Sequence, residues 1–370
     1  MEKLDNSAAD TPSGLAMART MQSPSPAQLP PAQQHDAAFG GLTPPVTDWD
    51  RYELLKPLGQ GGMGMVWKAR DRQLGRLVAI KFIRGDDREL VQRFQQEARA
   101  QARIEHPQIC RVYEIGEVGA KPYIAMQFID GRTLGSAGLT RTQLLQAMCE
   151  VAFGLHEAHR LGILHRDLKP DNIMVERRDD GRLNPIIMDF GLARETAENT
   201  GLTETGQLMG TPAYMAPEQA RGDVRRLDRR ADVYSLGATL YDLLAGRPPF
   251  VGRQMLEVVY AVAHRDAPDL HRVAGDLPVD LCTIVMKCLA KEPGDRYDSA
   301  KEFGEDLQRY INGERVLARP KSLSSRARKW ARDNWQLVAA AGLAVVWLAA
   351  FLTQVVRGKL EERRQERQAR

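Results

Sequence analysis

The string HRDLKPDN at positions 165–172, with the triplet DFG at 189–191, decides how the rest of the 370-residue chain is read. Asp167 is a carboxylate able to take a proton from a hydroxyl, and Lys169, two residues on, carries the charge to neutralise a moving phosphoryl group. Asn172 and Asp189 offer the hard oxygen donors that Mg²⁺ prefers. Ile186, Ile187 and Met188 read as a buried strand that delivers Asp189. An acid–base group, a cation and two metal donors in this order are what phosphoryl transfer requires.

With APE at 216–218, the set resembles the signature of protein kinases, and Lys169 within HRDLKPDN resembles the Ser/Thr-specific members. The resemblance covers roughly residues 52–315. It implies an α+β, two-lobed protein kinase fold, with a β-rich small lobe over 49–129 and a helical large lobe over 130–315. It also implies ATP as phosphate donor, Mg²⁺ or Mn²⁺ as cofactor, and Ser/Thr hydroxyls of protein substrates as acceptors. A pseudokinase scaffold has no need of all of Lys81, Asp167, Asn172 and Asp189, and a small-molecule phosphotransferase has no need of the docking segment from Thr211 to Glu218.

Working back from the catalytic string, Gly59, Gly61 and Gly64 form GxGxxG between two apolar β-type runs. A dinucleotide fold would continue into a helix and a Walker loop would end in Lys then Ser or Thr. This chain continues into Met65, Val66 and Trp67 as another strand, so the glycines belong to a hairpin that brings backbone N–H groups against phosphates. Lys81 ends VAIK on the next strand. In the helix predicted after it, positions 90, 94, 98 and 101 share a face (Leu90, Phe94, Ala98, Gln101), and Glu97 falls in the same stripe. An inward carboxylate costs several kcal/mol without a cation, so Lys81 is its expected partner. By resemblance this pair holds the α- and β-phosphates. The resemblance further places Leu58, Val66 and Ala79 over the adenine, Met174 under it, Met126 at the back pocket, and Gln127 with Phe128 or Ile129 at the hinge.

Beyond the hinge, residues 134–140 are short and Gly-rich where the family has a helix. Leu144, Met148, Val151, Ala152 and Leu155 then mark one side of a long helix, in which His156 and His159 read as packing or polar-face residues. In LTETGQLMGTPAYMAPE, Thr203 and Thr205 stand upstream of Thr211, a layout similar to that of membrane-anchored bacterial Ser/Thr kinases. A phosphate on Thr203 or Thr205 is expected to pair with Arg166 and order the loop, and Thr211 is assigned to substrate docking. The resemblance assigns Glu218 and Arg296 to a buried ion pair, and Asp232 to capping the catalytic-loop backbone.

Both ends differ from the middle. Residues 1–48 are rich in Pro, Ala, Ser and Gln, without apolar period or signal-peptide core, and read as a disordered leader. A basic linker, 316–334, precedes the uncharged stretch 335–356, which at about 1.5 Å per residue reaches ~33 Å, enough to span a bilayer core. A short charged tail, 357–370, follows. Basic residues flank the stretch on both sides, so orientation comes from ATP: the kinase domain faces the cytosol, on the inner (cytoplasmic) membrane. A single-pass anchor admits a homodimer for trans-autophosphorylation. The net charge of +4 is small for this length, and no nucleic-acid partner is expected. Cys110, Cys149, Cys282 and Cys288 lack zinc-ligand pairing and suit buried positions in a reducing compartment.

Overall fold

The computed structural model describes residues 43–61, 64–83, 88–190, 212–223, 227–319 and 334–368. Strands β1 (Tyr52–Gly61), β2 (Gly64–Asp71), β3 (Arg76–Ile83), β4 (Val112–Val118) and β5 (Lys121–Gln127) make an antiparallel sheet of order β1-β2-β3-β5-β4. The run at β3, RLVAIKFI, is rich in β-branched and aromatic residues, which suit a pleated surface. Helix α1 (Arg88–Gln101) lies between β3 and β4 in the chain. Its Phe94, Ala98 and Gln101 are buried, as the helical spacing predicted, and the Gln101 amide donates to the Cys110 carbonyl at 3.0 Å.

Phe94 and Ala98 join Ala79, Ile124, Met126, Ile129 and Ile186 in one apolar cluster, with Val66 and Met174 packed at its edge. That cluster joins the small lobe to the large one. A parallel bridge from Ile109 to Ile187 ties the same region together, with Cys110 N donating to Ile187 O at 2.9 Å and Ile187 N to Gln108 O at 2.8 Å.

The second lobe opens with β6 (Gly131–Thr133), which pairs with β7 (Ile173–Arg177), itself paired with β8 (Leu183–Ile187). Between β6 and β7 runs α2 (Arg141–Arg160), started by a capping box in which Thr140 and Gln143 bond each other's backbone N–H. Its Leu144, Met148, Val151, Ala152 and Leu155 are buried, in agreement with the apolar spacing. After the four-residue α3 (Pro217–Ala220) comes α4 (Arg229–Ala245), capped by Asp228 at its start and by left-handed Gly246 at its end. Every residue from Ala231 to Tyr241 is buried, so α4 is the axis of the large lobe. Helix α5 (Met255–His264) packs in a separate cluster with Ala213 and Phe250, while α6 (Leu270–Val273), α7 (Val279–Cys288) and α8 (Ala300–Ile311) pack around α4. The four cysteines are free and buried.

Packing runs slightly past both expected edges of the domain. Pro45 O accepts from Lys121 Nζ at 2.9 Å, although 44–48 reads from sequence as part of the leader. At the other end Ala318 sits in the large-lobe core, three residues beyond the expected close at 315. Asp306 accepts the N–H groups of Leu317 (2.6 Å) and Ala318 (2.8 Å), a long-range tie invisible to local pattern. Helix α9 (Trp335–Gln368) continues through the charged tail, and its stretch Trp335–Gly358 is long and apolar enough to cross a membrane.

Candidate active site

The catalytic string occupies the loop between α2 and β7, and β8 carries the chain back to Asp189 beside it. Asp232, buried in the first turn of α4, accepts the N–H groups of His165 and Arg166, each at 2.8 Å. These bonds hold Arg166 in the left-handed region, at φ 64°, and Asp189 is likewise left-handed at φ 53°. Such backbone costs about 1–3 kcal/mol per residue and persists only where the surroundings over-determine it. His159 Nε2 lies 2.8 Å from the same Asp232 carboxylate, so this histidine, which reads from sequence as a packing or polar-face residue, braces the loop's anchor. Burial pushes the Asp232 carboxyl up, but the His159 hydrogen bond and charge, together with those of His165, outweigh it and hold the group below the carboxylate range.

Within the loop the expected residues converge. Lys169 Nζ lies 3.1 Å from Asp167 Oδ2, and Asn172 Nδ2 donates to the same oxygen at 3.1 Å and to the Asp167 carbonyl at 2.7 Å. Met188 N donates to Asn172 O at 2.8 Å, which ties the strand end before Asp189 to the turn that bears Asn172. Lys81 Nζ, from β3 in the other lobe, makes a 2.7 Å ion pair with Asp189 Oδ1. Burial would raise the Asp189 carboxyl; the Lys81 ammonium and its hydrogen bond overcome this and keep it below the ordinary range. The His165 ring sits 4.7 Å from that of Phe190, and its Nε2 lies 2.9 Å from Met188 O.

An ammonium, a second ammonium, an amide and two carboxylates from distant parts of the chain thus meet where the lobes meet. Asn172 and Asp189 fit Mg²⁺: an amide oxygen and a carboxylate are hard donors, and this ion takes one or two protein oxygens with substrate phosphates filling the rest. Among the described residues no preformed group of three or more His, Cys, Asp or Glu competes for a metal.

Around the cleft, Ala79 and Met126 are buried, Val66 and Met174 half-buried and Leu58 exposed. The Gln127 N–H is committed to Arg111 O at 2.9 Å, so donation to a base falls to residues beyond it, in 128–129. At Gly64 (φ 153°) a Cβ would stand 1.8 Å from the Phe82 carbonyl, so glycine is obligatory for the β2–β3 contact. A Cβ at Gly59 would meet nothing within 4 Å, so packing does not require glycine there. Gly61 pairs with Gly64 across the hairpin.

The Glu97 side chain and residues Gly191, Thr203, Thr205 and Thr211 lie outside the described residues. Below the site, Glu218 and Arg296 form a bidentate pair, 2.7 Å at each oxygen, with side chains 1% and 0% exposed. Sequence reasoning missed the brace from His159, and it missed Gln219, whose amide donates to Arg166 O at 3.2 Å. Neither has a local signal, since their partners are far along the chain.

The protein kinase domain family matches residues 52–306. The chain is 41% identical over 299 residues to serine/threonine-protein kinase PknB of Mycobacterium leprae, covering 77% of this chain and 47% of the relative. It is 39% identical over 282 residues to probable serine/threonine-protein kinase SCO3848 of Streptomyces coelicolor, covering 72% and 41%. The chain spans about half the length of the curated relatives it matches. Among solved structures, the kinase domain of Mycobacterium tuberculosis PknI superimposes with a TM-score of 0.56 at 29% identity, covering 71% of this chain and 97% of that one.

Proposed function

The chain belongs to the protein kinase family, and from that premise we propose that it is a serine/threonine protein kinase transferring the γ-phosphate of ATP to protein hydroxyls. The observation that carries this is the convergence of Lys81 on Asp189 across the lobes, beside the Asp167, Lys169 and Asn172 cluster. Each group then has a task. Asp167 orients the acceptor hydroxyl and takes its proton late, as the oxygen bonds phosphorus and the bond to the β-phosphate oxygen breaks. Lys169 offsets charge on the transferred group, and Lys81 holds the α- and β-phosphates. Asn172 and Asp189 hold Mg²⁺ or Mn²⁺, which neutralises the phosphates when bound. Purine contacts come from Leu58, Val66, Ala79, Gln127, Ile129 and Met174, with Gly59, Gly61 and Gly64 over the phosphates.

The finer reading has three parts. Thr203 and Thr205 are autophosphorylation sites whose phosphates pair with Arg166, and Thr211 lies in the docking wall for protein substrates. Trp335–Gly358 anchors the chain in the cytoplasmic membrane as a single span, with the kinase domain in the cytosol. Two copies held in one membrane favour phosphorylation in trans. Transfer of ³²P from γ-labelled ATP to a generic protein substrate tests the central claim. Label on serine and threonine, lost by about 10²–10⁴-fold in Asp167→Asn, is the expected result. Equal labelling by wild type and Asp167→Asn overturns it. Retention of both activity and loop phosphate in a Thr203→Ala/Thr205→Ala double variant removes the autophosphorylation reading.

A further inference from the structure

The chain begins to pack before the family match starts at Tyr52. Trp49 places its ring 4.9 Å from Tyr52 and 4.6 Å from Tyr123, both edge-on, and 6.0 Å from Phe82. Tyr52 and Tyr123 donate their hydroxyls to the two oxygens of Glu114, at 2.8 and 2.6 Å. Arg51 closes the group, 3.5 Å from both Asp71 and Glu114. A Cβ at Gly116 would lie 2.6 Å from the Tyr123 hydroxyl, so glycine there makes room for this arrangement. The segment leading in is tied down as well, through Pro45 O and Lys121 Nζ.

What the cluster grips is informative. Phe82 and Tyr123 are the last register pair of the β3–β5 ladder, and the pair before it is Lys81 with Ile124. Strand ends fray unless side chains hold them. Side chains alternate along a strand, so Phe82 meets the aromatic cluster on one face while Lys81 reaches Asp189 on the other.

We propose that Trp49 is a positioning residue for phosphoryl transfer: it clamps Phe82 against Tyr123, so that the adjoining Lys81 is presented at a fixed height to Asp189 and the nucleotide phosphates. This rests on the kinase reading of residues 52–306 and extends it to a residue upstream. The indole acts through the pleat of β3 and touches no substrate.

The test uses the full chain in detergent or nanodiscs, with Trp49→Ala, Trp49→Leu and Trp49→Phe, and reads ATP affinity by calorimetry alongside KM for ATP, KM for a protein substrate and kcat. Trp49→Ala is expected to weaken ATP binding and raise its KM about 5–10-fold while the protein-substrate KM holds, and Trp49→Phe to recover to within about twofold. Phe303→Leu, a core change in the large lobe, is the control for stability alone and is expected to lower Tm without moving the ATP constants. ATP affinity unchanged in folded Trp49→Ala or Trp49→Leu overturns the proposal, as does an equal loss in Phe303→Leu at matched Tm. Absence of transfer by the wild type counts against the kinase reading, whereas the proposal for Trp49 is decided by nucleotide binding.

Discussion

Single buried side chains at the centre of the large lobe are set by electrostatics. Arg296 is buried with Glu218 as its bidentate partner, and its remaining N–H groups reach the carbonyls of Ala290, Arg230 and Lys291. Glu218→Gln leaves a guanidinium without its counter-charge, which typically costs about 3–5 kcal/mol. Urea unfolding is expected to show a loss of that size, far above the ~0.5 kcal/mol of a surface change. His165 makes a second residue-level prediction. Burial holds its imidazole below the ordinary range, and His106 and His156 are displaced in the same direction by burial. The unfolded chain therefore binds protons below about pH 6.5 that the folded chain refuses. Stability is at its fullest above that pH and drains away as pH falls through the folded values. Urea midpoints measured from pH 7.5 to 5 are expected to decline, with a shallower decline in His165→Asn.

Elements hold their places through ends and crossing points more than through propensity. Helix α4 stops at Gly246, left-handed at φ 71°, whose N–H bonds Asp242 O at 2.7 Å. Gly246→Ala keeps the bond but forces a Cβ into that region, at about 1–2 kcal/mol, to be seen as a lowered Tm. Gly64→Ala is expected to do more, because the new methyl collides with the Phe82 carbonyl and pushes β2 off β3. Lys81 lies on the same stretch of β3, so ATP affinity should fall along with stability, whereas Gly246→Ala should leave affinity unchanged. Calorimetric titration of both variants with ATP separates the two. Element identities were legible because the apolar spacing of β3, β5, α1 and α2 matches what they bury. The extra turns of α9 past the apolar stretch follow from the charged helix formers between Lys359 and Gln368, which carry the helix on beyond Gly358.

At the scale of the whole molecule, the two lobes bury their apolar side chains, whereas the helix Trp335–Gly358 leaves its own exposed. Trp335–Gly358 is predominantly apolar and carries large exposed side chains, among them Trp347, Leu348 and Phe351. Leu343→Arg near its centre is expected to cost about 2.5–3.5 kcal/mol of insertion and to move much of the protein from the membrane to the soluble fraction on centrifugation. Between the lobes, Lys81 and Asp189 are bonded although the chain separates them widely, and no local rule could have paired them. The sequence by itself determined which residue types are available for the chemistry, in HRDLKPDN, DFG and GxGxxG, and which segments become strand or helix. These depend on spacing along the chain, and spacing is printed in the sequence. Only the tertiary structure decided that Lys81 meets Asp189, that His159 braces Asp232, that Asp306 holds the chain at 317–318, and that Trp49 belongs to the small lobe. Those pairings arise when buried polar groups and aromatic rings must find partners in a closed interior, and the nearest partner in space is seldom the nearest in the chain.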